Sequence, residues 1–384
     1  MMTMDGAREL GAVTPAAAVL SGPPTLAPRK VVPIILAATE REARGAMMRV
    51  GGLRVVERAV RQLGRLRDVA VVIADDGSVR LPRRLPPNAQ VRTVDGDPVA
   101  AVERLRAELG ADCQVVGADT VWLQPARFDR GTRVVDRPSR RVADEVVFRD
   151  AQRDTVGLVD RILNQKLSLV LTRNVLTRLP VAPALITLLA GFVGLYGTLL
   201  VASGTWNGTV TGFAILEAYS ILDGCAGTLG RVSLHQTVLG AWLDTVVGDF
   251  VNVVLVLAVG LALWGHGGTV LDMKMAAVAA GLTLFYIVVS YRELMRQGEG
   301  DVMRLRWWFA YGQQLKTFGG AGSSSIKVVM MLGRRDVVVL LSFALAYFDQ
   351  MPVVLLYLLI VAMVRAAGAL GQLLTPEWRL RPPI

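Results

Sequence analysis

Cysteine and histidine are almost missing from this chain: its 384 residues contain 2 of each. Cys113 and Cys225 lie far apart, which excludes a disulfide framework and a cysteine-based zinc site. Long apolar runs are missing before about residue 180, so the first part of the chain reads as soluble. Residues 1–29, with much Ala, Pro and Gly, lack the basic start and apolar core of a signal peptide and read as a disordered tail. No pair of interrupted apolar segments is arranged as inverted repeats, which argues against a transporter.

What the second half does contain is apolar sequence. The chain is 53% hydrophobic, with mean hydropathy +0.45. Six stretches approach the roughly 20 residues needed to cross a bilayer. They are 181–202, 207–224, 237–263, 272–291, 336–349 and 351–373, the fifth being short. The links near 203–207, 264–271 and 349–351 contain no Lys or Arg. The long link 292–335 carries Arg292, Arg296, Arg304, Arg306, Lys316, Lys327, Arg334 and Arg335. Arg161, Lys166, Arg173 and Arg178 precede the first span, and Arg379 and Arg381 follow the last. Excess Lys and Arg stays on the cytoplasmic side. The pattern predicts an integral protein of the cytoplasmic membrane with its soluble part and both termini inside. The net charge of +10 is thereby assigned to a membrane face, with no nucleic acid as partner.

Residues 151–180 join the two halves. In VDRILNQKLSLVLTRNVLTRL, Ile162, Leu163, Leu167, Val170, Leu171, Val175 and Leu179 recur at helical intervals, with Arg and Lys between them. The expectation is a basic amphipathic helix lying along the bilayer surface. A linker helix packed on the soluble part is the alternative.

Residues 30–150 alternate strand and helix patterns. VVPIILA, VAVVIAD and CQVVGAD are continuous apolar runs suited to buried parallel strands. Helical patterns near 53–64 and 97–109 lie between them, as in a doubly wound α/β sheet. IILAATEREAR, VGGLRVVERAVRQL and VVGADTVW resemble successive segments of sugar-nucleotide-type nucleotidyltransferases, with Asp119 at that family's metal-binding position. Thr39 and Glu40 replace the glycines of the family's phosphate loop, and its lysine before Val50-Gly51-Gly52 is absent. Without glycines the backbone does not easily wrap a triphosphate. The domain therefore reads as Rossmann-like and nucleotidyltransferase-like, without that activity.

Asp223, Gly227, Arg231, Gly240 and Asp244 carry the sharpest signal. Offsets of four place the first three on one helix face, and Gly240 and Asp244 repeat the relation on the next helix. A carboxylate inside such an apolar run is expensive, so it is either a helix-end residue or part of a polar site in a membrane bundle. With Gly230 included, the set resembles the signature of the CDP-alcohol phosphotransferase family, which spans the second and third of six membrane helices. The resemblance covers about 160–373. The preceding nucleotidyltransferase-like domain makes the order similar to the bifunctional inositol-1-phosphate cytidylyltransferase/di-myo-inositol phosphate phosphate synthase family.

The resemblance implies a six-helix, all-α transmembrane domain at 181–374, followed by a short cytoplasmic tail, 375–384. It implies transfer of a phospho-alcohol from a CDP-alcohol donor to an alcohol acceptor, with release of CMP and a role in phospholipid or inositol-phosphate synthesis. Mg2+ or Mn2+ would be the cofactor, held by Asp223 and Asp244. Gly227, Gly230, Arg231 and Gly240 would receive the nucleotide, membrane lipid would surround the domain, and a homodimer is the expected assembly. Ala226 and Gly248 stand where the family has two further carboxylates. Asp249, one residue late, and Glu217, before Asp223, are candidate substitutes, and Asp244 and Asp249 are the candidate catalytic bases. Arg365 is expected to face the pocket or pair with Asp336, Arg334 and Arg335 to anchor at the interface or meet phosphate, and His235 to lie at the surface or move a proton. WWFAY at 307–311 reads as an interfacial anchor and GGAGSSS at 319–325 as a flexible connector. A non-enzymatic nucleotide- or lipid-binding scaffold is the competing reading.

Overall fold

The computed structural model describes residues 32–63, 71–81, 85–109, 113–122, 131–152, 160–302, 305, 307–308 and 332–375. The 1–29 tail, the 319–325 connector, 376–384, and Arg304, Arg306, Lys316 and Lys327 lie outside them.

Strands β1 (Val32–Leu36), β4 (Val71–Asp75), β5 (Ala89–Thr93) and β6 (Cys113–Gly117) form a parallel sheet in the order β5-β4-β1-β6. Helix α1 (Glu40–Met47) follows β1, and α2 (Val55–Leu63) follows a two-stranded hairpin, β2 (Arg49–Val50) and β3 (Leu53–Arg54). Val56, Ala59, Val60 and Leu63 of α2 pack with Ile35 and Ile73 on one sheet face. Ala101, Val102 and Leu105 of α3 (Pro98–Leu109) pack with Ile34, Leu36 and Val72 on the other. Both faces are covered, which is why β1 and β4 read as unbroken apolar runs. Strand β5, whose residues are mostly exposed, has no such run and escaped the sequence pattern. A second hairpin, β7 (Thr120–Trp122) and β8 (Gly131–Arg133), and helix α4 (Arg137–Gln152) complete this unit.

A π-helical turn (Asp160–Asn164) leads into α5 (Gln165–Asn174). Among the described residues six further helices follow: α6 (Pro183–Ala202), α7 (Trp206–Val232), α8 (Val238–Gly265), α9 (Val270–Gln297), α10 (Arg335–Tyr347) and α11 (Met351–Leu374). Among the described residues, four of them (α6, α8, α9 and α11) are long and apolar enough to cross a membrane. Helix α7 is interrupted by Glu217, Asp223 and Arg231, and α10 has 13 residues. Both nevertheless pack in the same bundle, α7 against α6 and α10. Helix α7 runs well past the 207–224 stretch expected from hydropathy, because its last turns contact the α/β unit instead of lipid.

Small residues set the α6–α7 crossing. A Cβ on Gly212 would stand 2.6 Å from the Gly197 carbonyl oxygen, and one on Gly197 would stand 2.9 Å from that of Gly212. Only glycine permits backbones to approach so closely, the usual device for helix association in lipid. At the end away from the α/β unit, the Trp206 indole donates to the Tyr347 carbonyl at 3.0 Å. Trp264 and Phe348 are exposed at the same end, as in an aromatic belt.

The α/β unit closes on the other end of α7. Gly51 and Gly52 turn the β2–β3 hairpin with φ of 57° and 83°. Arg58, fully buried, donates to the carbonyls of Val50 and Val232, and Arg61 donates to Ser233 O at 3.3 Å. These guanidiniums satisfy carbonyls that the last turn of a helix leaves without partners. Replacing Arg58 by Met strands both acceptors, so thermal unfolding of the purified chain should show a loss of about 2–4 kcal/mol. Gly51→Ala should also lower the melting temperature. Its Cβ would meet Val232 Cγ1 at 2.4 Å, and its φ is unfavourable for alanine.

Candidate functional site

Helix α7 places Asp223 beside Asp244 of helix α8. The two carboxyl groups lie within side-chain hydrogen-bond reach of each other. Two like charges about 4 Å apart repel by roughly 4 kcal/mol at an effective dielectric of about 20, so such a pair needs a counter-charge or a shared proton. Arg335, the first residue of α10, supplies the charge. Its guanidinium forms an ion pair with Asp223, donates to the Tyr219 hydroxyl at 3.0 Å, and lies 5.1 Å over the Tyr219 ring. Thr187 Oγ1 of α6 reaches Asp244 Oδ1 at 3.5 Å. Asp223 Oδ1 is buried and accepts no hydrogen bond.

The other motif positions separate into two groups. A Cβ on Gly227 would have only the Arg231 guanidinium near it, at 3.6 Å, so Arg231 folds back over the helix one turn beyond Asp223. Gly230 would meet Gln236 and Pro183 at ordinary distances, and Gly240 sits in the first turn of α8, its N–H bound to Thr237 Oγ1 at 3.0 Å. Gly227 and Gly240 are half-buried, whereas Gly230 is buried. Gly248 does lie against this cluster: its missing Cβ would stand 3.0 Å from Arg335 Nη1 and 3.6 Å from the Tyr219 hydroxyl. Ala226 does not, because it packs with Ile186, Cys225 and Leu229 in an apolar cluster.

The two candidate substitute carboxylates have different surroundings. Asp249 interacts with Tyr219, Arg365 and Arg335, and its side chain is within hydrogen-bond reach of Tyr291 of α9. Arg365 donates to the Gly333 carbonyl at 2.6 Å and covers the Tyr286 ring at 5.6 Å. It faces Asp249, and Asp336 is paired with Arg334 instead, at 3.2 Å. Glu217 lies beside Asn164, Asp160 and Asp336. Arg334 binds Asp160 there at 3.1 Å. Burial pushes the Asp160 carboxyl above the usual range, Asp336 adds to the shift, and Arg334 opposes it. The adjacent pair Arg334-Arg335 thus serves two buried acid groups, a role not anticipated from sequence, where both were interface or phosphate candidates. His235 lies at the junction with Arg61. Among the described residues no group of three or more His, Cys, Asp or Glu is arranged to hold a metal ion.

The α/β unit repeats the theme. Asp119 is fully buried and accepts from Arg133 Nε at 3.2 Å and Nη2 at 3.0 Å, while Arg133 also pairs with Glu42. Thr39 caps α1 by accepting from the Glu42 N–H at 3.2 Å, and Glu42 accepts from the Ala38 N–H at 2.7 Å. Where the resemblance would have a phosphate-wrapping loop, the chain builds a helix start with both end donors already used.

No family model matches the chain, and a comparison with the curated proteins gives no match.

Removing one partner of a buried ion pair leaves the other charge uncompensated, at a typical cost of about 3–5 kcal/mol. Arg335→Met should therefore destabilise the purified chain by that order, and Asp223→Asn added to it should recover most of the loss. Manganese should raise the melting temperature of Arg335→Met by bridging the exposed acids, and should leave the double variant unchanged.

Proposed function

We propose that this chain is a membrane-embedded transferase of the CDP-alcohol phosphotransferase type. It would move a phospho-alcohol group from a CDP-alcohol to an alcohol acceptor and release CMP. The meeting of Asp223 and Asp244 beside a guanidinium carries the reading, because pyrophosphate cleavage needs acids and cations at one point. The finer architecture belongs to the same proposal: six crossings, a nucleotidyltransferase-like soluble unit, and both termini on the cytoplasmic side.

The residues fit one divalent ion and not two. Mg2+ is commonly bound through one or two carboxylates together with substrate phosphates. Asp223 and Asp244 are two such carboxylates, and Asp223 Oδ1 is a buried acceptor with no hydrogen-bond partner. A bound Mg2+ or Mn2+ would neutralise charge on the phosphate under attack. Gly227 and Gly240 would let the nucleotide approach the helix backbones, and Arg231 would hold a phosphate by paired N–H bonds. Arg335 stands against Gly248, so its fixed positive charge takes the place of a second ion. Asp244 would accept the proton of the acceptor hydroxyl. The acceptor oxygen then bonds to the phosphorus that carries the alcohol, the bond from that phosphorus to the bridging oxygen breaks, and CMP leaves with the bridging oxygen.

The engagement of Arg335 with Asp223 favours a second reading, a site that binds nucleotide or lipid without turnover. Membranes containing the chain separate the two. Under the first reading, CDP-diacylglycerol or CDP-inositol offered with alcohol acceptors gives metal-dependent CMP release. Asp223→Asn or Asp244→Asn then lowers the rate at least about 100-fold, as loss of a main electrostatic group does. Nucleotide binding with no CMP release under any combination supports the second. Gly248→Asp should not raise the rate, because its carboxylate would meet Arg335.

A further inference from the structure

Residues 160–179 form a helical segment. Asn164, Ser168 and Thr172 are 2%, 1% and 0% exposed, so polar side chains share the face toward the protein with Leu169, Leu171 and Leu176. It lies against α7: Glu217 is beside Asn164, and the Cys225 thiol reaches the Ser168 carbonyl at 3.6 Å. Ile162, Leu167, Val170 and Leu179 point outward, at 59%, 46%, 54% and 49% exposure. A helix surrounded by water buries such side chains. Lys166 and Arg178 are exposed along the same segment, and no Asp or Glu occurs from 161 to 216. Helix α6, the first apolar span, begins at Pro183.

We infer that this segment is a binding surface for acidic phospholipid: its apolar side enters the acyl boundary while Lys166 and Arg178 engage anionic headgroups. The outward leucines, isoleucine and valine need an apolar surrounding, and the adjacent start of α6 places that surrounding at the bilayer edge. Lys166, Arg173 and Arg178, with no acid from 161 to 216, select negative headgroups over zwitterionic ones. Arg173 is partly diverted to Asp144, at 3.2 Å, which leaves Lys166 and Arg178 as the headgroup contacts. Nothing in this surface depends on the transferase reading.

The test uses the full chain in nanodiscs of phosphatidylcholine with a minor share of phosphatidylglycerol. A bimane label is placed by Leu167→Cys on a Cys113→Ser background, and a second preparation carries it by Glu145→Cys on the exposed side of α4. Bromine on the acyl chains of one lipid at a time reports contact. Quenching is expected at 167 and not at 145. At equal mole fraction, brominated phosphatidylglycerol should quench several-fold more than brominated phosphatidylcholine. Lys166→Glu with Arg178→Glu should abolish that preference while leaving quenching by the bulk lipid, which shows that the helix still packs. No quenching at 167, or equal quenching by the two lipids in the unaltered chain, overturns the inference. So does contact with a second copy of the chain through this face, read as a disulfide between two unlabelled Leu167→Cys chains on oxidation, in place of lipid quenching.

Discussion

A carboxylate inside a helix bundle has to be answered by positive charge, and that constraint organises this molecule. Asp223 is answered by Arg335 from a helix more than a hundred residues later in the chain. Asp160 and Asp336 are answered by Arg334, and Asp119 and Glu42 by Arg133. An arginine is permanently charged and presents several donors at fixed angles, which suits it to this task better than lysine. The three contacts tie together segments that apolar packing alone would position only loosely. Arg334 and Arg335 in particular join the start of α10 to the turn before α5 and to the middle of α7.

Much of the frame could be read from the amino-acid order. The runs behind β1 and β4 are apolar on both sides because both faces of the sheet are covered, and the four apolar helices declare themselves by length. Offsets of four placed Asp223 with Gly227 and Arg231 on one helix face, and Gly240 with Asp244 on the next, but the meeting of the two acids was expected only from the resemblance. Strand β5 was hidden, since an exposed edge strand carries no buried pattern. Ala226 and Gly248 look equivalent on paper as lost carboxylates, yet one is packing against Ile186 and Leu229 and the other makes room for Arg335. Arg335 itself was legible only as a basic residue at the end of an apolar run. Its partner lies on another helix, and local spacing carries no information about that.

The Gly51-Gly52 pair joins the α/β unit to the helices through one tight turn. Here its left-handed turn brings the hairpin against Val232 and Thr177, with Asp144 accepting from the Gly51 N–H at 2.8 Å. Tight steric fit there requires glycine for closeness as well as for φ.

The Arg58 contact with Val232 makes the two halves poor modules. A helix terminus that relies on a neighbouring fold for its hydrogen bonds is incomplete when that neighbour is cut away. A chain divided near residue 155 would give a bundle whose α7 ends in bare carbonyls and an α/β piece with a buried cation turned out to solvent. Exchange of either half for another piece would therefore have to carry both sides of that seam.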